Sequence, residues 1–342
     1  MPQLNLIGNT SFTLGSRPEL GPFIAIGGIK ETFVTGGISY TLHSFISGSG
    51  SFQILQGSAD IEVLVVGGGG AGSQGIQRSP TTDTGEYFRG NGGGAGGYVF
   101  VSQFVKKTPE YVPSVFDAYV GEGGRFVSGA FTTAATQSSF IQTYDQRGYY
   151  FNPPIITSSF KGGSGGGADD TGAGNGASGG GGGGLAIYGG QGNNGGPQDA
   201  LTGGGGAGAA GANRTLDTSG LGGDGVTLPV YFGGASGSYP IRIAGGGYGG
   251  GYFRNGYPPD GADGDVIGAG SGSFGGGAGG SNAAGFNQPT LAQLTGSNGV
   301  TNTGGGGGGG GTIVDLPGNT QYYGPAGNGG SGVIRIAYQT QF

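Results

Sequence analysis

Few residue patterns in this sequence have chemical potential. The apolar stretch Val63-Leu64-Val65-Val66 runs into Gly67-Gly68-Gly69-Gly70-Ala71-Gly72, which fits the G-x-G-x-x-G spacing that lets backbone approach a dinucleotide pyrophosphate. Asp83 and Glu86 stand at about the separation where a ribose-binding carboxylate is needed. That chemistry requires a helix after the last glycine, and Ser73 to Thr84 has no helical period. Two further spacings, around Ser164 and Ser178, fit G-x-S-x-G. A nucleophile elbow needs a strand before it and a histidine to take the proton. Neither serine follows a strand-forming stretch. The one histidine, His43, sits between Leu42 and Phe45 in an alternating stretch where a structural role is expected.

The carboxylates fare no better. Asp169 and Asp170 are adjacent within a glycine block and lack the separation of a glycosidase pair. Asp260, Asp263 and Asp265 supply oxygen atoms of the kind Ca²⁺ takes, but without the spacing of a calcium-binding loop. Asp224 in Gly222-Gly223-Asp224-Gly225 falls short of a calcium-binding β-roll repeat. Both segments read as solvated turns. The expectation is a protein that is not an enzyme, with no catalytic residue, no cofactor and no metal.

Binding is better represented. Aromatic and arginine residues cluster at Tyr87-Phe88-Arg89, at Tyr149-Tyr150, at Tyr252-Phe253-Arg254 with Tyr257, and at Tyr322-Tyr323. Tyr and Arg are the usual anchors of binding surfaces, and aromatic faces suit sugar rings. Each cluster adjoins Gly, Pro, Asn or Asp, which places it in a loop. The alternative use is packing of loop on loop or of subunit on subunit.

Composition narrows the setting. Of 342 residues 94 are Gly, yet only 9% are charged and 11% are aromatic, a balance unlike that of disordered chains. The glycines lack the strict third-residue period of collagen. A net charge of −6 with no basic patch argues against nucleic acid. With no Cys and one His, a disulfide framework and Cys- or His-rich metal sites are excluded. The first 20 residues show no secretory pattern, and no apolar run is long enough to span a bilayer as a helix.

The elements that must position the aromatic clusters are strands. Candidates are Leu4–Ile7, Ser11–Leu14, Phe23–Ile26, Tyr40–Phe45, Ser51–Leu55, Ile61–Val66, Tyr98–Val105, Val115–Val120, Ser138–Gln142, Val226–Phe232, Ile241–Ala244 and Val333–Tyr338. They are short, rich in β-branched and aromatic residues, and mostly bounded by Gly or Pro. The expected class is all-β. Residues 1–38, poorer in Gly, read as an attachment module or extra strands, and 39–342 as the main domain.

Between the strands lie pure glycine runs, of which Gly304–Gly311 is the longest without interruption. Fixing each residue costs ~1–2 kcal/mol, and a net hydrogen bond returns ~0.5–1.5. Such a run breaks even only when nearly every residue bonds to a neighbour. The expectation is a bundle of extended three-residue-per-turn helices with Gly304–Gly311 near its centre.

Several ordered motifs carry a family resemblance. Tyr40-Thr-Leu-His-Ser-Phe45 through Phe52, then Ile61-Glu-Val-Leu-Val-Val-Gly67 to Gly72, resemble the opening of the glycine-rich domain of phage tail-fibre and receptor-binding proteins. Gly92-Gly-Gly-Ala-Gly-Gly-Tyr98, Ala118-Tyr-Val-Gly-Glu-Gly-Gly124, Ser138-Ser-Phe140 and the closing Gly329-Gly-Ser-Gly-Val-Ile-Arg-Ile-Ala-Tyr338 follow in order, so the likeness covers about residues 38 to 342. A similar domain occurs in anaplastic lymphoma kinase-type receptors, which bear cysteines and a membrane anchor; this sequence has no Cys and no apolar run of spanning length, so the phage side is the expectation.

The resemblance implies a β-sandwich joined to a bundle of polyglycine II helices, with receptor-contacting loops at the distal tip. The function expected is that of a tail-fibre or adhesin subunit, exposed on the virion and assembled in the host cytoplasm. Its partners would be other virion proteins and a host-surface glycan or outer-membrane protein, with a homo-oligomer possible. The competing expectation is a non-adhesive virion protein: a head fibre, capsid decoration or tail-tip component.

Overall fold

The computed structural model describes residues 22–74, 90–106, 114–128, 131–132, 135–142, 158–160, 175, 177–181, 185, 192–196, 202–213, 220–250, 252–255, 275–277, 294–315 and 320–340. Its regular elements are almost all β-strands, and the class is all-β. The expected strands Leu4–Ile7 and Ser11–Leu14 lie outside the described residues.

Two five-stranded antiparallel sheets form the body. One runs β1 (Ile24–Ile26), β4 (Ser49–Gln56), β7 (Ser114–Tyr119), β10 (Ser138–Gln142), β11 (Ser158–Phe160). The other runs β2 (Ile29–Thr35), β3 (Ile38–Phe45), β17 (Val333–Gln339), β5 (Ser58–Val66), β6 (Tyr98–Lys106). The described part of the 1–38 segment thus supplies one edge strand to each sheet.

The inner faces share one core. Phe52 and Ile54 of β4, Phe116 of β7 and Phe140 of β10 meet Ile61, Val63 and Val65 of β5 and Ile334 and Ile336 of β17. The rings of Phe116 and Phe140 stack with centroids 5.1 Å apart. Alternation sends the intervening residues outward. Leu42, Leu64, Val66, Val333 and Ala337 therefore form a second core on the outer face of the β2–β6 sheet, under Leu228, Phe232 and Ile243. A central strand buried on both faces reads as a continuous apolar run, which explains the composition of β5 and β17.

The covering segment corrects one expectation. Val226–Phe232 was expected to be a single strand, but only β12 (Val226–Thr227) pairs, with β13 (Arg242–Ile243). Pro229, at φ −54°, lacks the N–H a ladder needs, and the chain turns into a 3-10 turn at Val230–Gly233. A short pair, β8 (Phe126–Ser128) with β9 (Phe131–Thr132), lies apart from both sheets.

Glycine segments continue outward from the strand ends. After β5, Gly67 donates to Gly97 O at 2.9 Å, Gly70 to Gly94 O at 2.7 Å and Ser73 to Asn91 O at 2.9 Å. Every third N–H thus returns to the same neighbour. Gly304–Gly311 repeats this in three directions. Gly307 and Gly310 donate to Gly70 and Ser73, Gly306 and Gly309 to Gly245 and Tyr248, and Gly308 and Gly311 to Ser297 and Leu294. Its carbonyls accept from Gly93 and Gly96, from Gly324, Gly327 and Gly330, and from Gly277. Six segments therefore surround this run, and all eight of its N–H groups have acceptors, Gly305 using Thr303 Oγ1 at 3.1 Å.

Such contact leaves no room for side chains. A Cβ at Gly306 would overlap the carbonyl oxygen of Gly93, and one at Gly310 that of Gly324. The polar residues that interrupt the outer segments bond to backbone instead. Asn91 Oδ1 accepts from Thr202 N at 3.0 Å, and Asn328 Oδ1 from Phe126 N at 2.8 Å.

Candidate functional site

At the end of the glycine segments remote from the two sheets, the chain forms a three-stranded ribbon. Gly245–Gly250 leads toward β14 (Tyr252–Asn255), Gly304–Gly311 leads directly into β15 (Thr312–Asp315), and β16 (Thr320–Tyr323) runs into Gly324. The central strand follows from its composition. Thr312-Ile313-Val314 is a β-branched run, and Leu-Pro-Gly-Asn after Asp315 is a turn signal. β14 pairs with β15 in parallel and β15 with β16 antiparallel, so β15 lies between the other two.

The register brings together two of the four aromatic clusters found in the sequence. Tyr252 and Tyr323 both stand opposite Thr312, and Phe253 and Tyr322 both stand opposite Ile313. Arg254 and Gln321 flank Val314, and Asn255 and Thr320 flank Asp315. Tyr252, Phe253, Arg254, Tyr322 and Tyr323 were expected in loops, and here they are strand residues. Aromatic residues suit a pleated surface, and the β-branched run beside them provides the ladder.

The other expected contact residues, Tyr87, Phe88, Arg89, Tyr149, Tyr150 and Tyr257, lie outside the described residues. The residues that bound segment 75–89 do stand at this end. Gln74 Nε2 donates to Tyr323 O at 3.4 Å, and Gly250 N donates to Gly90 O at 2.8 Å. Sequence reasoning missed Ile313, Asp315 and Thr320, although the β-branched triplet ahead of the Pro-Gly turn signals that hairpin.

The motifs with chemical potential resolve as backbone structure where they are described. Gly67, Gly68, Gly69, Gly70 and Gly72 each donate their N–H to a neighbouring segment, and the stretch where the helix would run, with Asp83 and Glu86, lies outside the described residues. Ser178 is buried in a glycine segment, with its N–H donated to Ala95 O at 3.2 Å. His43 is buried between the sheets. Its Nδ1–H donates to Gly27 O at 2.7 Å, and its Nε2 accepts from the Tyr338 hydroxyl at 3.1 Å. Burial holds its pKa below the usual imidazole value, and burial raises that of Tyr338 to about 12. Ser164, Asp169, Asp170, Asp260, Asp263 and Asp265 lie outside the described residues. Among the described residues no group of three His, Cys, Asp or Glu is placed to hold a metal ion.

One cleft, of about 670 Å³, opens beside β2 and the 3-10 turns, lined by Phe33, Val34, Val230, Gly234, Tyr239 and Ile241 among others. Arg335, which packs against the cleft-lining Tyr239, is fully buried. Its Nη1 donates to Phe232 O at 3.0 Å and Pro240 O at 2.8 Å, and its guanidinium lies 4.9 Å from the Tyr239 ring centroid. Burial lowers its pKa to about 10, which leaves it charged at neutral pH. Glu31 accepts from Ala235 N at 3.0 Å on the same side. These contacts fasten the covering segment to the sheet.

A family described as a glycine-rich domain matches residues 45–288, well over half of the chain. The chain belongs to this glycine-rich domain family. No curated protein and no solved structure matches it. In this glycine-rich domain the packed unit extends past the matched region at both ends. β17, the middle strand of its sheet, and the central Gly304–Gly311 run both follow residue 288, and β2 precedes residue 45.

Proposed function

We propose that this glycine-rich domain is an adhesin subunit of a phage tail fibre, in which a stiff lattice of polyglycine II helices joined to a β-sandwich carries a host-binding surface at its far end. The observation that supports this most directly is the threefold pattern of hydrogen bonds around Gly304–Gly311. Three residues per turn is the geometry of the polyproline II helix, and without side chains such helices pack on every side. At ~3.1 Å per residue the central run carries the ribbon about 25 Å outward. A surface held by such a lattice meets its partner with little ordering cost, which favours binding. The aromatic residues gathered on the ribbon are of the type that anchors recognition.

The test uses the parent phage. Antibodies against the chain should label the fibre tips, and purified protein should block infection by occupying the receptor. Labelling of the head, with no block, would instead favour the reading as a non-adhesive virion component.

A further inference from the structure

We infer that the open edge of β2 binds an extended, uncharged segment of another protein, which adds to the sheet as a further strand and lodges an apolar side chain in the cleft beside Phe33. The inference stands on the sandwich alone and goes beyond the adhesin reading.

The hairpin decides which backbone groups face outward. Thr35 and Ile38 pair across Gly36 and Gly37, whose φ angles are +58° and +79°. A two-residue turn of this kind is closed by a hydrogen-bonded pair, and such pairs alternate along an antiparallel ladder. Thr35, Phe33, Glu31 and Ile29 therefore bond to β3, and Val34, Thr32 and Lys30 turn their N–H and C=O groups to the other side. Among the described residues no strand pairs there, because β2 is the edge of its sheet. These groups recur at every second residue, about 6.8 Å apart, which is the repeat of another extended chain.

The cleft lies along that same edge. It is lined by the consecutive residues Phe33, Val34 and Thr35. Neighbouring side chains of a strand point to opposite faces. With β3 on one flank, a cleft reaches all three only around the open one. Its far wall is the covering segment, with Val230, Tyr239 and Ile241. Val34 is 69% exposed and Val230 65%. An unpaired edge beside apolar side chains is a template for strand addition, in which backbone bonds supply affinity and the pocket selects the side chain. β1, an edge of the other sheet, has three residues and a register shift, whereas β2 has seven, with neither a shift nor a Pro.

Chemistry and size name the occupant. No lining residue is charged. Glu31, on the same strand, already accepts from Ala235 N at 3.0 Å. A charged side chain entering the cleft would be desolvated without a partner, which selects an uncharged one. Volume favours a strand over a helix. Two helical turns, about 10 Å across and 11 Å long, need roughly 860 Å³, and the cleft offers about 670 Å³.

The experiment titrates the purified full chain into a fluorescein-labelled hexapeptide amide that alternates valine with threonine, and follows hydrogen exchange at the Thr32 and Val34 amides. Saturable binding is expected, with both amides exchanging fast in the chain alone and at least about tenfold more slowly in the complex. Methylating one alternate set of peptide amides should abolish binding and methylating the other should not, since only one set faces β2. Replacing the valines with glutamate should also abolish it. Val34→Pro removes an N–H that β3 does not use, so the melting temperature should hold while peptide affinity falls at least about tenfold. The methylated peptides act on the parent protein and decide the matter if Val34→Pro fails to fold. No binding, equal response to the two methylated sets, or undiminished binding of the glutamate peptide overturns the inference. So does slow exchange of Thr32 and Val34 in the chain alone: at twice the monomer mass it assigns the edge to a second copy, and at monomer mass to another segment of this chain.

Discussion

The N–H of Gly307 donates to the carbonyl oxygen of Gly70 at 2.9 Å, joining two runs from distant parts of the sequence. Three residues further along, Gly310 makes the same bond to Ser73 at 3.0 Å. A lattice of such contacts replaces side-chain packing with backbone hydrogen bonds, and its tolerance to substitution follows from that.

Gly307→Ala should be severely destabilising. Its Cβ would overlap the carbonyl oxygen of Gly327, which is backbone and has nowhere to go. Overpacking typically costs about 1–3 kcal/mol and occasionally more, and an overlap with fixed backbone belongs at the upper end of that range. Gly36→Ala is the comparison, because its φ is +58° with nothing within 4 Å of the added carbon, so only the left-handed strain of about 1–2 kcal/mol applies. Chemical denaturation of the two variants should separate them clearly. Equal losses would mean the run is not packed.

Acid should weaken the fold through His43. Burial lowers its folded pKa, so the unfolded chain binds the extra proton first. Stability is therefore expected to fall as pH drops below about 6.5, the unfolded imidazole value, toward the lower folded value. His43→Gln should flatten the denaturation midpoint in that window. Glu62 acts with the opposite sign, since burial raises its folded pKa and its contribution declines as pH rises through the carboxylate range. A His43→Gln profile that tracks the parent from pH 7 to 5 would contradict the assignment.

Arg335→Lys should loosen the covering segment. Lysine cannot keep two carbonyl bonds and the contact over Tyr239 with one planar group. Losing one charge-assisted bond costs about 1.5–3 kcal/mol. Hydrogen exchange at residues 230–240 should accelerate more than at β5. Uniform acceleration, or none, would show that Arg335 does not fasten this segment.

Much of the body was legible in the sequence. β3, β4, β5, β6, β7, β10 and β17 all overlap stretches whose alternation or apolar density marks them as strands. β2 was missed because Ile29-Lys-Glu-Thr-Phe-Val-Thr35 mixes exposed and half-buried positions, as an edge strand does, and so offers a weak alternation. β14 to β16 were missed for a related reason. Tyr252-Phe253-Arg254 and Tyr322-Tyr323 have no period of their own, and only the pairing with Thr312–Asp315 makes them strands. Which glycine run touches which is not written in any run, because glycines are locally identical. That assignment comes from the ends, where β5, β6 and β17 fix the starting points.

Amide hydrogen exchange across Gly304–Gly311 tests the central claim most directly. The account predicts that Gly306 to Gly310 exchange as slowly as Val63 and Leu64 of β5. Exchange at the rate of an unstructured glycine peptide would contradict it.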